Sequence, residues 1–487
     1  MLQCRHAEEL SFGPRALKDA LVSGDAALQR LYASAFSPAE RLFLAEAYNP
    51  QRTLFGTPQI CSAFDWLLSR PEPPEDFQTF HDALVPRKQG QGPRHIYLQP
   101  IDAREGPVGG SLLDGLRGCA EAFFLGLRVK CLPSVAATAI GCRSRPSRDP
   151  EHLQLHTDGI LSFLESHKPG DALCVLGLTL SDLYPCEAWG FTFGKSLPGH
   201  EVGVCSFARF SGEFPQSGCS TCDSSPAKAA TDSPKSPVQG GGRSPSYSAL
   251  GLVQCCQATC HELCRLLGLG HCRWLRCLMQ EALSLDETLR RPPDLCPICL
   301  RKLQHVLGFR LVDRYKKLQA WTEAVAGTWP SREAGALSAS EDTLPCSCDS
   351  GCENDSEATS SLSEPLSPDA GSPELEPEEG LSSLVDVAPT EAVREHGLWL
   401  AACIRALERQ VSEEELAQVD RAVDALARWD MFTGRLPAAR QDVPCSRDSA
   451  GLRKVLGDKF SSWKKKFSTR KPPKAEPPTC RWEPEEN

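Results

Sequence analysis

The segment Cys260–Cys299 reads CHELCRLLGLGHCRWLRCLMQEALSLDETLRRPPDLCPIC and concentrates side chains able to hold metal ions. Hydrolysis at zinc needs three neutral or anionic protein ligands, an open position for water, and a base that takes the water's proton. A helix supplies two such ligands when they sit four residues apart, because they then share one face. His261 can be the first ligand, and Glu262, about 100° round the helix, stands where the general base of such a site belongs. Gly268 lets the chain leave the helix in a left-handed turn, bringing His271 back toward the metal as the last ligand. Met279 falls where a turn beneath the metal would supply an apolar floor. Two histidines alone are equally the polar residues of a helix end. Glu262, Gly268 and the adjoining cysteines, all in register, argue for descent from a metal site.

A second constellation follows directly. Cys272, Cys277, Cys296 and Cys299 form two pairs, the second a Cys-Pro-Ile-Cys knuckle. Four thiolates in tetrahedral array suit structural zinc, and a helix start behind the knuckle would favour thiolate through its dipole. The plainer alternative is four buried, unliganded cysteines. Cys255, Cys256, Cys260 and Cys264 crowd the preceding helix and are read that way, as small buried side chains.

Arg265 conflicts with the first constellation. It stands four residues after His261, where the middle histidine ligand should be. Arginine is always protonated, has no lone pair for zinc, and would place a positive charge beside a dication. Three outcomes are open. The guanidinium swings away and leaves a weak two-histidine site completed by water; another residue substitutes, for which Cys264, about 100° round the helix, is badly placed; or the site is empty and the chain is a pseudoenzyme.

These side chains need a scaffold. HIYLQPI (95–101), VKCLPSV (129–135), ALCVLGLTL (172–180), WGFTFG (189–194) and EVGVCSFARF (201–210) read as strands. Helices are expected from the Ser111–Asp114 cap to about 129, from about 150 to 167, from about 247 through the His-Glu pair, and from about 295 to 325. Strands that alternate with helices and then cluster indicate an α/β (α+β) fold with a mixed sheet of about five strands. Upstream, Ser37-Pro-Ala-Glu40 is a capping box with proline at the first helical position, and Thr57-Pro58 is expected to open a short helix in the same way.

The chain has 487 residues, but 39 prolines and several serine-rich stretches leave a folded core of about 200–300 residues, ample for an enzyme domain. The start lacks an apolar secretory segment and no run is long enough to span a membrane, so a cytoplasmic setting is expected. There the 24 cysteines would be thiols or metal ligands rather than disulfides. A net charge of −10 argues against generic nucleic-acid binding.

The domain-level reading is an N-terminal helical region (1–90), a catalytic domain (91–330) with a flexible insertion (214–247), an acidic linker (331–390), a helical segment (391–440) and a basic tail (441–487). The insertion holds Cys219-Ser-Thr-Cys222, a weak metal signal in such a setting. Between Glu341 and Glu379 there are twelve acidic residues and no Lys or Arg. Residues 391–432 return to helix, with Ser412-Glu-Glu-Glu415 as a second capping box. Residues 453–474 carry nine Lys or Arg against Asp458 alone, and Leu456, Phe460, Trp463 and Phe467 share one helical face. That pattern suits an anionic membrane surface or an acidic partner; the plainer reading is a solvated basic tail folded back on the acidic linker.

HExxHxxGxxH followed by Cx4C, a methionine two residues on, and CxxC is the signature of the archaemetzincins, metzincin-like zinc metallopeptidases, and residues 90–325 resemble that family. The strands LGLTLSDLYP, WGFTFG and VGVCSFARF precede the helix in the family's order, and the long acidic extension best matches the vertebrate type one branch. The resemblance implies two zinc ions. His261 and His271 match catalytic ligands, Glu262 the general base, Met279 the Met-turn residue, and Cys272, Cys277, Cys296 and Cys299 the second site. It further implies hydrolysis of short peptides, from the amino end, with substrate added as a strand to the sheet edge at 189–194. The competing reading is a peptide-binding scaffold that retains only the four-cysteine zinc.

Overall fold

A computed structural model describes residues 8–62, 64–70, 72–84, 95–102, 107–147, 153–211, 249–328 and 389–432. The insertion at 214–247, residues 331–388 of the acidic linker and the basic segment at 453–474 lie outside the described residues.

Runs of branched and aliphatic residues that are apolar on both sides of the chain make strands buried on both faces. Five strands form the main sheet: β1 (His95–Ile101), β2 (Arg128–Cys131), β3 (Ala172–Thr179), β4 (Gly194–Leu197) and β5 (Val202–Ser206); β1, β3 and β5 are such buried runs, whereas β2 is exposed apart from Val129 and β4 is half-buried. Their spatial order is β2-β1-β3-β5-β4. The first three pairings are parallel, and β4 closes one edge antiparallel to β5, with Gly194 opposite Cys205 and Ser196 opposite Gly203. The mixed five-strand sheet expected from the sequence is therefore present. A smaller sheet joins Ser144–Pro146, Leu153–His156 and Asp182–Tyr184.

The period-2 alternation of the strands divides the core between the two sheet faces. Ile96, Leu98, Leu176 and Cys205 belong to a cluster shared with the helix Ala249–Leu266, called here the site helix. Tyr97, Ile101, Val175, Val202 and Val204 pack on the other side against Ile160, Leu161 and Leu164 of the helix Thr157–Ser166.

Several element boundaries differ from the sequence reading. The helix expected to start at the Ser111–Asp114 cap begins at Pro107 and ends at Phe123, with Gly126 (φ +99°) turning the chain into β2. The stretch 150–167 splits into the strand Leu153–His156 and the helix Thr157–Ser166. The edge strand is Gly194–Leu197 rather than 189–194; Thr192 makes only an isolated bridge to Leu183. Thr57-Pro58 opens no helix, and Gln59–Ile60 instead pairs with Glu8–Glu9. The expected helix over 295–325 is two, Pro297–Leu307 and Leu311–Thr328, divided at Gly308, whose φ of +73° ends a helix in the left-handed region. The 391–432 segment is likewise two helices, Pro389–Glu408 and Glu413–Phe432, and the Glu415 N–H bonds to Ser412 Oγ at 3.3 Å at the second start. The Ser37 capping box is formed with both of its bonds.

The flanking regions dock on the same core. Pro389–Glu408 packs on Leu311–Thr328 and on the site helix. Glu413–Phe432 meets the N-terminal helices through Arg41–Glu413 (2.6 Å), Lys18–Asp420 (2.9 Å) and the Tyr48 hydroxyl on Asp420 (3.2 Å). Among the described residues no helix is long and apolar enough to cross a membrane.

Candidate metal centre and its surroundings

The site helix lies against the antiparallel edge of the sheet, and its His261 and Glu262 are both buried. Close approach here depends on glycine at 194: a Cβ built there would stand 2.7 Å from Glu262 Oε1 and 2.8 Å from Cδ, so no side chain fits between strand and carboxylate. Ser196, next on the same face of β4, donates through Oγ to Glu262 Oε2 at 2.5 Å. The second carboxylate oxygen lies 3.1 Å from His261 Nδ1. Burial alone would push this carboxyl upward; the bonds to His261 and Ser196 outweigh it and hold Glu262 below the ordinary carboxylate range.

With Nδ1 engaged on Glu262, His261 Nε2 is buried and has no partner. A buried polar nitrogen left unpaired is costly, and an imidazole nitrogen so placed is a ready metal ligand. Burial, reinforced by the Arg291 charge, lowers the His261 pKa to about 4, which keeps the ring neutral as ligation requires. Gly268, at φ +96°, turns the chain out of the helix as the sequence implied, and His271 returns with its ring stacked near His261, centroids 5.8 Å apart and planes 10° from parallel. Burial, then Arg265, holds His271 far below its ordinary value.

Arg265 stays close enough to the histidine pair for its charge to act on both rings. Its Nη1 bonds to the Leu269 carbonyl at 3.1 Å, at the C-terminal end of the helix, where the dipole favours a cation. Among the described residues no third His, Cys, Asp or Glu joins the two histidines in a metal-sized group. Glu281 and Glu72 approach His271 Nδ1, each at 3.9 Å, but Glu281 is engaged by Arg70 at 2.5 Å. Arg70 also stacks on Trp189, 4.2 Å from the ring centroid, and so ties the segment before β4 to the same corner.

The four cysteines do converge. Cys272, Cys277, Cys296 and Cys299 are fully buried, and their sulfurs all lie within 4.8 Å of one another; among the described residues they are the one group of three or more such side chains this close. Local structure explains the convergence. Cys296 is the N-cap of Pro297–Leu307, with proline at the first position, so Cys296 and Cys299 sit on its opening turn. The turn carrying Met279 closes back on the cluster: Cys272 N–H donates to the Met279 carbonyl (2.8 Å), and Cys277 Sγ accepts from the Met279 and Cys296 N–H groups (3.4 and 3.3 Å). Met279 itself is wholly buried in the core beside this cluster. Hydrogen bonds from the other three thiols hold Cys272 well below its ordinary pKa. The buried Lys302, paired with Glu75 at 2.6 Å, adds a positive charge close to Cys299 and Cys272.

Tested against zinc, then, the cysteine cluster fits outright in donor type, number and spacing. The histidine pair fits as two neutral imidazoles, one with a free buried nitrogen, without a third protein donor from position 265. Sequence reasoning placed the helix and knuckle residues but missed Ser196, Gly194, Arg70, Arg291 and Glu281. Each lies far from the motif in sequence or outside its pattern, and only the register of β4 on β5 brings Gly194 and Ser196 over Glu262.

Comparison with known proteins bears on this arrangement. A profile for Peptidase family M54 matches residues 249–305, the segment holding both metal constellations. Archaemetzincin-1 of Homo sapiens is 70% identical over 498 residues, covering 100% of both chains. Archaemetzincin-1 of Rattus norvegicus is 64% identical over 99% of each. Archaemetzincin-2 of Rattus norvegicus is 38% identical over 66% of this chain and 87% of its own length. Among solved structures, archaemetzincin from Methanopyrus kandleri aligns with 22% identity and a TM-score of 0.31 over 45% of this chain and 99% of its own. The chain belongs to the archaemetzincin family of zinc metallopeptidases.

Proposed function

We propose that this chain hydrolyses short peptides from the amino end with Glu262 as general base. Zinc, held by His261 and His271, would supply the Lewis acid that activates water and polarises the peptide carbonyl. Glu262 is buried, ionised and hydrogen bonded on both oxygens, so it can take the proton of the attacking water and return it to the leaving amine. The peptide adds as a strand along β4, whose outer side pairs with no other strand among the described residues. A substrate on that edge runs past Gly194 and Ser196, directly over the carboxylate. The Ser196–Glu262 hydrogen bond is the observation that carries this reading, because it links the substrate-binding edge to the base. The basic 453–474 segment is proposed to dock on an anionic membrane surface or acidic partner, and a cytoplasmic setting accompanies the reading.

Arg265 favours the second reading, a peptide-binding scaffold that loads only the four-cysteine zinc. One experiment separates them: zinc per chain by elemental mass spectrometry, together with peptide turnover by the parent and by Glu262→Gln. About two zinc ions per chain, with turnover that Glu262→Gln abolishes, supports the peptidase. About one zinc, with no turnover, supports the scaffold.

A further inference from the structure

On the face of the site helix opposite Glu262 lies a cavity of about 430 Å³, walled by Gln254, Gln257 and Cys260 of that helix and roofed by Val393 and Trp399 of Pro389–Glu408. Its volume is that of a small-molecule site. Phe55, Leu289, Trp321, Val393 and Trp399 make the greater part of it apolar. Trp399 Nε1 is already bonded to the Leu54 carbonyl at 3.0 Å, so its indole offers the cavity a ring rather than a donor.

One end is cationic. Arg291 lines the cavity and is only 9% exposed, yet its Nε has no hydrogen-bond partner. Burial lowers its pKa to about 10, and the nearby Glu262 and Glu281 offset this only in part. Neither glutamate is free to answer it, since Glu262 is held by His261 and Ser196 and Glu281 by Arg70. The other carboxylates of the wall do not serve either: Asp294 is taken by two bonds from Arg314 (2.7 and 3.1 Å), and Glu395 stands exposed at the rim. Arg276, also in the wall, adds positive charge. A buried guanidinium without a counter-ion is unfavourable unless an anion meets it.

We propose that this cavity binds an amphipathic monocarboxylate, its carboxylate on Arg291 and its apolar body between Trp321, Val393 and Trp399. A buried cation at one end of a mostly apolar cavity suits a carboxylate on a hydrocarbon or aromatic body, and the apolar end excludes a ligand charged along its whole length. The cavity lies across the site helix from the peptide-binding edge and the proposal does not depend on the peptidase reading, although the Arg291 charge also acts on His261.

The test is calorimetric titration of the full chain with decanoate and, in parallel, with 1-decanol. Saturable binding of decanoate at one per chain, at least tenfold tighter than decanol, is expected. Arg291→Gln should weaken decanoate at least tenfold while leaving decanol unchanged, and Val393→Trp, which fills the apolar end, should remove both. Thermal melting and zinc content check that each variant is folded. Absence of saturable binding by the parent, equal affinity for acid and alcohol, or undiminished binding by either folded variant would overturn the proposal. If Arg291→Gln fails to fold, the acid–alcohol comparison on the parent and the Val393→Trp result still decide it.

Discussion

Ser196 Oγ lies 2.5 Å from Glu262 Oε2 and 3.3 Å from the Glu262 carbonyl, so the edge strand of the sheet is bonded to the carboxylate proposed as base. A hydrogen bond to a charged group contributes about 1.5–3 kcal/mol. Ser196→Ala is therefore expected to lower kcat by about ten- to a hundredfold with zinc content and folding unchanged. Steady-state kinetics beside elemental analysis checks this; an unchanged kcat would show that Ser196 does not position the base.

The glycine beside it allows a steric test. Gly194→Ala places a methyl group 2.7 Å from Glu262 Oε1, against a carboxylate fixed from two sides and unable to retreat without losing a bond. Activity should fall at least tenfold, whereas the thermal midpoint should change little, because the strain falls on one side chain. A normal kcat in Gly194→Ala would mean that strand and carboxylate are farther apart in solution.

Position 265 can be restored. Arg265→His replaces a guanidinium bonded to the Leu269 carbonyl with an imidazole one helical turn from His261. Loss of a mere supporting partner lowers metal affinity about 10–100-fold, so regaining a direct ligand should raise zinc affinity by more than about 100-fold. Competition titration against a chromogenic chelator reads this directly. No gain would mean that Glu281, Glu72 or solvent already completes the site.

The same residue shows where the sequence was legible. The incompatibility of arginine with zinc follows from its chemistry alone, and so did the possibility that it would swing away. Its destination did not, because the Leu269 carbonyl becomes a target only once Gly268 has turned the chain. The strands β1, β3 and β5 were readable from apolar runs, since strands buried on both faces leave a strong local signal. Its edge was displaced: Trp189 and Phe191 look like strand residues, but Trp189 is held by Arg70, and ladder pairing begins only at Gly194. Gly308 was passed over inside an otherwise helical pattern, where a glycine alone does not announce a positive φ. The buried arginines 273, 301 and 314 were not anticipated either, because their partners are backbone carbonyls and one carboxylate distant in sequence.

The four-cysteine cluster should behave as part of the fold. Its ligands join the loop after the site helix to the start of Pro297–Leu307, so metal bound there contributes to folding. Cys296→Ser is expected to lower zinc by about one per chain and the thermal midpoint by at least about 10 °C. Arg265→His should leave this zinc in place. A Cys296→Ser variant that keeps both its zinc and its midpoint would remove the structural role.

Close to that cluster, Asp294 and Arg314 form a fully buried pair joined by bonds of 2.7 and 3.1 Å. Arg314 Nε also holds the Phe123 carbonyl at 3.0 Å, and Asp294 Oδ1 accepts the Leu295 N–H at 2.7 Å, one residue before Cys296. The pair thus ties the knuckle to the end of the helix Pro107–Phe123. Removing one partner leaves the other charged and buried, which costs about 3–5 kcal/mol. Asp294→Ala should lose that much stability in urea unfolding, and Arg314→Met a similar amount. Replacing both with apolar residues of matching size should recover much of the loss, because the desolvation penalty goes with both charges. A double variant no more stable than either single one would show that the bonds to Phe123 and Leu295, rather than the charge pair, hold the knuckle in place.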